Sequence, residues 1–228
     1  MTTSAIRPVE LRDGQFVPYI TAWSAEEVPP QPVTVQRGRG GTGLGFRDEV
    51  SHIDRQHGVL WLRVPALRRG EPRFDTVHAL RQRHAMRRLL CQVCGGPTLS
   101  AREDERALFL VAARGDTPIR EGEQTASPPV HAACARLAVN YCPPLRRGWA
   151  AALVSSTPVW GFAGLLYDPL TLQPLPAPGR TGLHRVPDTD ERRLRWLLAA
   201  RLIVTLENVT PVTDLDELAD QEAEAAYR

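Results

Sequence analysis

Four metal-ligating residues constrain this chain more than anything else in it. Cys91 and Cys94 stand in the run Cys91-Gln92-Val93-Cys94-Gly95-Gly96, and His131 and Cys134 repeat the same spacing downstream. A gap of two residues lets both sulfurs of the first pair face one ion. The glycines that follow permit the tight turn that aims backbone amides at the thiolates. A lone CxxC is also a redox motif, so the second pair decides the reading. Ser127 is placed to cap a helix whose first turn holds Pro128 and Pro129, tolerated there because early helical amides have no intrahelical partner. His131 and Cys134 then share one face near the positive end of that helix. Three sulfurs and one nitrogen fill the tetrahedral shell of Zn2+ and leave no position for water or substrate. The expected ion is therefore structural, not catalytic.

Cys142 is the rival fourth ligand. In an unbroken helix from His131 it lies three turns on, about 16 Å along the axis, which zinc–sulfur bonds near 2.3 Å cannot span. It is assigned to the core.

Between the two pairs, Thr98–Ser100 and Ala107–Val111 have the character of two strands of a hairpin. Knuckle, hairpin, then a helix giving two ligands is the order of treble-clef zinc fingers, and residues 91–141 resemble that arrangement. The whole chain also resembles an uncharacterised family of actinomycete proteins, through Gly58–Leu62, the run Arg81–Gly96 and Pro128–Pro144. That resemblance implies no particular activity.

All 28 basic residues are Arg, with no Lys anywhere. Arg, Ala, Pro and Gly have GC-rich codons, so the bias reads as a high-GC genome. It also excludes a Walker A loop, a Schiff-base or pyridoxal lysine and a kinase-type lysine. There is no GxSxG element for a serine hydrolase. Met1–Arg12 lacks a basic stretch followed by an apolar one, so no secretory signal is expected. A cytoplasmic, reducing compartment follows, in which clustered Cys serve as metal ligands more readily than as disulfides. Gly148–Tyr167 is uncharged over nearly the length of a membrane span, yet carries Ser155-Ser156-Thr157-Pro158 at its centre. Two strands, Ala150–Ser155 and Val159–Tyr167, joined by that turn are expected, and no membrane contact.

The chain is expected to be α+β, with mixed strands and helices around a treble-clef-like zinc module. Residues 1–57 read as a Pro/Gly-rich arm and loop, with Phe16-Val17, Tyr19–Trp23 and Val33–Val35 as edge strands and Gly38–Gly45 as a mobile loop. Residues 58–147 hold the strand Gly58–Val64, a helix capped by Asp75 with Val77, Leu80, Leu89 and Leu90 as its apolar members, and the zinc module. Residues 148–210 hold the strand pair and a helix capped by Asp188 and Glu191, with Leu194, Leu197, Leu198 and Leu202 as its inward stripe. Residues 211–228 read as an acidic tail with a short solvated helix.

The segment Arg63–Arg88 holds eight Arg against Glu71 and Asp75, a local excess of six. Arg81, Arg83, Arg87 and Arg88 adjoin the knuckle, and Arg forks match phosphate oxygens. The preferred function is thus a non-catalytic, zinc-stabilised binding or regulatory protein that contacts DNA or RNA through this helix. The alternative is a protein–protein adaptor with no nucleic-acid contact. A distant third is a metal-dependent, HNH-like nuclease using His52, Asp54 and His57, although these lie well upstream of the knuckle.

Overall fold

The computed structural model describes residues 7–12, 14–38, 41–99, 104–113, 117–179 and 181–226. The fold is α+β. It comprises two compact units, each assembled from separate stretches of chain: residues 1–22, 72–158 and 204–228 form the first, and residues 23–71 and 159–203 the second. No helix among the described residues is long and apolar enough to cross a membrane.

The first unit is built on a three-stranded antiparallel sheet in the order Thr210–Val212, Trp149–Val154, Ala107–Ala112. Alternation along the two longer strands sends Leu108, Leu110, Ala151 and Leu153 to one face. There they meet the helix Ala132–Tyr141 through Ala132, Ala135 and Ala138, whose small side chains allow close approach. The helix Leu215–Ala226 completes this core. Asp214 caps it, its Oδ1 accepting from the amides of Asp216 and Glu217 at 2.8 and 3.0 Å. Leu215, Leu218 and Ala219, at helical spacing, are buried in the cluster. The expected solvated tail is therefore a packed helix, because its apolar stripe outweighs its acidic character.

Trp149–Val154 and Val159–Leu166 do not form the expected hairpin. The first lies in this three-stranded sheet, while the second belongs to the other unit. Glu207 takes the turn's place as partner: its carbonyl accepts from the amides of Ser155 and Ser156, and its carboxylate from the Ser156 hydroxyl at 2.9 Å.

The sheet of the second unit has the strand order Arg55–Gln56, Val59–Trp61, Leu197–Thr205, Val159–Leu166, His184–Pro187, with Val204 and Thr205 at the end of its central strand counted in the first unit. Leu197–Thr205 runs parallel to Val59–Trp61 and stands at the centre of the sheet. Its sequence was expected to be a helix. The stripe of Leu194, Leu197, Leu198 and Leu202 is misleading because Ala199 and Ala200 within it, and Ile203 and Val204 just beyond it, are buried too. A run that is apolar on every side is a strand covered on both faces. The helix shrinks to Glu191–Leu194, capped by Asp190 rather than Asp188, with Asp190 Oδ1 accepting from Arg193 N at 3.1 Å.

The N-terminal third is no loose arm. Phe16, Val17, Ala22 and Trp23 are buried, and Trp23 is only 1% exposed. The glycine-rich stretch forms a hairpin, Val33–Gly38 against Gly41–Phe46, that places Leu44 and Phe46 in the second unit's core beside Leu60, Tyr167 and Leu198. Arg39 and Gly40 of the expected loop lie outside the described residues. Glycine is required at 43, where an added Cβ would come within 2.7 Å of the Arg195 carbonyl oxygen.

If Leu215–Ala226 is packed as described, Leu218→Ala will lower stability by about 2–4 kcal/mol in a urea-unfolding titration. A change below about 0.5 kcal/mol would mean that the segment is solvated after all.

Candidate metal centre

The knuckle is a tight turn held at both ends. Leu90 and Pro97 form an antiparallel bridge, Cys91 N donates to Gly96 O at 2.7 Å, and Gly95 N donates to Cys91 O at 2.8 Å. The Cys94 amide approaches Cys91 Sγ at 3.5 Å, the sulfur-directed amide that the glycines were expected to allow. Gly95 has φ +72°, and an added Cβ would lie 2.8 Å from the Tyr19 ring, so both backbone and space demand glycine. The preceding helix, Ala79–Arg88, ends at Leu89 in the left-handed conformation, and Thr98 fastens Leu89 O through both its amide and its hydroxyl.

The second pair comes from a helix that begins later than expected. It runs Ala132–Tyr141 with His131 as its N-cap residue, and Ser127 to Val130 precede it outside the helix. Pro129 O instead accepts from Gln92 N at 2.8 Å, and Val130 N donates to Leu108 O. These bonds tie the strand, the knuckle and the helix start together. The expected treble-clef hairpin is not what connects the pairs. Ala107–Ala112 pairs with Trp149–Val154, Thr98 and Leu99 lie outside any strand, and Ser100 lies outside the described residues.

The ligand atoms of Cys91, Cys94, His131 and Cys134 all lie within 4.8 Å of one another. All four residues are buried, none more than 7% exposed. A tetrahedral shell with bonds of 2.3 Å has ligand–ligand edges of about 3.8 Å, so small adjustments close the set around one ion. These four residues could therefore hold a metal ion. His131 Nε2 sits 2.8 Å from Pro97 O, and a carbonyl can only accept, so Nε2 carries the hydrogen. That leaves Nδ1 as the ligand atom, 3.3 Å from Cys94 Sγ. The Pro97 carbonyl thus fixes both tautomer and ring orientation.

Electrostatics in the cluster favour a cation. Hydrogen bonds from Cys134 and Cys91, aided by His131 and the Gly96 backbone, push the Cys94 thiol far below its ordinary range. The same contacts with Cys91 and Cys94, and burial, push Cys134 up. Burial of His131 works against its charge, yet bonding to Cys91 and Cys94 outweighs that and raises the imidazole to about 10. Ligation by three thiolates and an imidazole nitrogen requires those groups to be deprotonated, so a divalent ion held here would compete with protons.

Glu222 was not foreseen. Its Oε2 accepts from Ala132 N at 2.9 Å, placing a carboxylate on the first turn of the ligand helix. The signal lay in the spacing of Leu215, Leu218, Ala219 and Glu222, which puts the carboxylate on the buried stripe. Arg136 and Asp216 add a second tie between the two helices at 2.7 Å. Cys142, expected in the core, is the half-buried C-cap of Ala132–Tyr141, at the far end from the cluster.

The four arginines proposed for nucleic acid are not equivalent. Pro72–Val77 is a strand and His78, not Asp75, caps the helix, its Nδ1 accepting from Arg81 N at 3.3 Å. The buried face is Ala79, Arg81, Gln82, Ala85 and Met86, whereas Leu80 is exposed. Arg81 is 6% exposed and donates through Nη2 to Thr21 O at 2.6 Å. It is a structural residue, with its alkyl stem in the core. Arg83 is half-buried; burial, and then the nearby charge of Arg87, lower its guanidinium to about 10. Arg87 and Arg88 are exposed in the last helical turn.

The trio His52, Asp54 and His57 does not assemble. Asp54 is buried, accepting from Val50 N at 2.8 Å and from Arg63 Nε and Nη2 at 2.8 and 2.7 Å; the Arg63 bonds hold its carboxyl below the ordinary range. His52 and His57 are exposed. Among the described residues, the Cys₃His set is the one cluster of three or more such groups able to hold a metal. No protein-family model, no curated protein and no solved structure matches this chain.

Metal analysis of the purified protein should find about one divalent ion per chain. Cys91→Ser, Cys94→Ser and Cys134→Ser should each lose it, and Cys142→Ser should keep it. Because binding expels protons, retention should fall as pH is lowered, with the metal held at neutral pH and released in acid. Glu222→Ala should cost about 1 kcal/mol of stability while leaving the metal stoichiometry unchanged.

Proposed function

We propose that this chain is a non-catalytic binding protein whose Cys91, Cys94, His131 and Cys134 hold one structural Zn2+, and that it meets nucleic acid beside that site. The observation that carries the reading is the closed, buried Cys₃His set with its imidazole locked by Pro97 O. Three thiolates and one imidazole match zinc among common ions, and they leave no position for a substrate. Bound zinc would fasten the knuckle to the helix Ala132–Tyr141, and those four residues would be its only protein ligands.

The nucleic-acid part of the reading is supported by Arg87 and Arg88, exposed one turn before Cys91 on the helix that leads into the knuckle. Arg81 is left out of the contact surface because it is buried. A second reading, contact with a protein, is favoured by the strand Pro72–Val77. Its middle residues face solvent, and Phe74 is 54% exposed. An edge strand with a bare aromatic side chain suits pairing with another chain.

Fluorescence anisotropy with labelled DNA and RNA separates the two. Arg87→Ala with Arg88→Ala should weaken binding about tenfold and reduce the salt slope by about 1–2, while Arg81→Ala should lower stability first. An unchanged affinity and salt slope in the double variant would exclude nucleic-acid contact through this helix.

A further inference from the structure

The second unit holds a cleft that the metal centre does not use. It has a volume of about 390 Å³, and its lining is mostly apolar: Leu166, Tyr167, Pro169, Leu175 and Trp196. Arg192, Arg193, Arg195 and Thr42 also line it. An indole ring in an apolar lining beside three guanidinium groups describes a receptor for a flat, apolar body bearing a negative charge. Among the described residues, Arg193 and Arg195 have only long ion pairs, 3.9 Å to Asp190 and 3.5 Å to Glu191, and Arg192 has none.

We infer that this cleft takes the base-plus-phosphate unit of a nucleotide, the base against the half-buried ring of Trp196 and the phosphate on Arg192 and Arg195. Every base has a face that stacks on an aromatic ring, and Arg forks fit phosphate oxygens in pairs. The volume suits one such unit. The frame is rigid where it has to be: Tyr167 N donates to Trp196 O at 2.9 Å, and Leu44 N donates to Arg195 O at 2.7 Å. Arg195 also borders a second depression of about 900 Å³, whose lining mixes Arg37, Arg55 and His57 with Glu49, Asp188 and Glu191. A phosphate on Arg195 would therefore stand between the two depressions, as it would in a strand continuing from the first into the second. The inference does not depend on the zinc or on Arg87 and Arg88.

The test titrates the intact, metal-containing protein with adenosine monophosphate, a labelled ten-nucleotide single strand and inorganic phosphate. Arg192→Ala with Arg195→Ala, and separately Trp196→Leu, should each weaken the bound probe about tenfold, with circular dichroism and metal content unchanged. Binding of the monophosphate with no gain from the strand assigns the site to free nucleotides. Preference for the strand assigns it to single-stranded nucleic acid. Binding of neither, equal binding by inorganic phosphate, or full affinity in Trp196→Leu would overturn the inference. A variant of Arg87 and Arg88 should leave monophosphate binding intact, which separates this site from the helix proposed above.

Discussion

The convergence of Cys91, Cys94, His131 and Cys134 is the constraint on which the first unit depends. The knuckle satisfies Cys91 N and Gly95 N within itself, and two other pieces of chain complete its bonding. Tyr19 N donates to Val93 O, Gln92 N to Pro129 O, and His131 Nε2 to Pro97 O. The last two of those bonds form only when the two ligand pairs are together. Four buried polar groups at such close quarters carry a desolvation cost that thiol–thiolate hydrogen bonding offsets in part and a shared cation offsets more fully. The same cluster also forms part of the apolar core, since Cys91, Cys94 and Cys134 pack with Leu108, Leu110 and Leu153.

Legibility from sequence followed the range of the interaction. The ligand set was readable because each pair is local and its spacing has a geometric meaning. The early end of the metal helix's reach, and hence the exclusion of Cys142, followed from rise per residue alone. The start of that helix was misplaced because Pro128 and Pro129 fit a helical first turn equally well as extended chain; the partners of the Pro129 carbonyl and the Val130 amide decide it, and those, Gln92 and Leu108, lie far away in sequence. Arg81 shows the same limit. Nothing near it distinguishes a buried arginine from an exposed one, since the acceptor that holds it, Thr21 O, is sixty residues away.

Periodicity failed in one instructive direction. Leu194, Leu197, Leu198 and Leu202 satisfy a helical stripe, but Leu197–Thr205 is the central strand of its sheet. Between Leu197 and Leu202 only Arg201 is polar, so the run lacks the polar face that a surface helix needs. The glycine-rich stretch was misjudged for the converse reason: its Leu44 and Phe46 are the anchors, and the glycines permit close approach rather than motion. Acidic composition similarly concealed the buried stripe of Leu215–Ala226.

The tie between Glu222 and Ala132 has a consequence for the order in which this molecule is made. All four ligands exist once residue 134 has left the ribosome, whereas the carboxylate that settles on the ligand helix arrives ninety residues after the amide it accepts from. The intervening chain includes Val159–Ile203, which belongs to the other unit. A nascent chain can thus gather its thiols long before the helix that covers them is synthesised. During that interval the cluster lacks its last cover, so capture of an ion at that stage would hold the knuckle and helix together while the rest of the core is still being built.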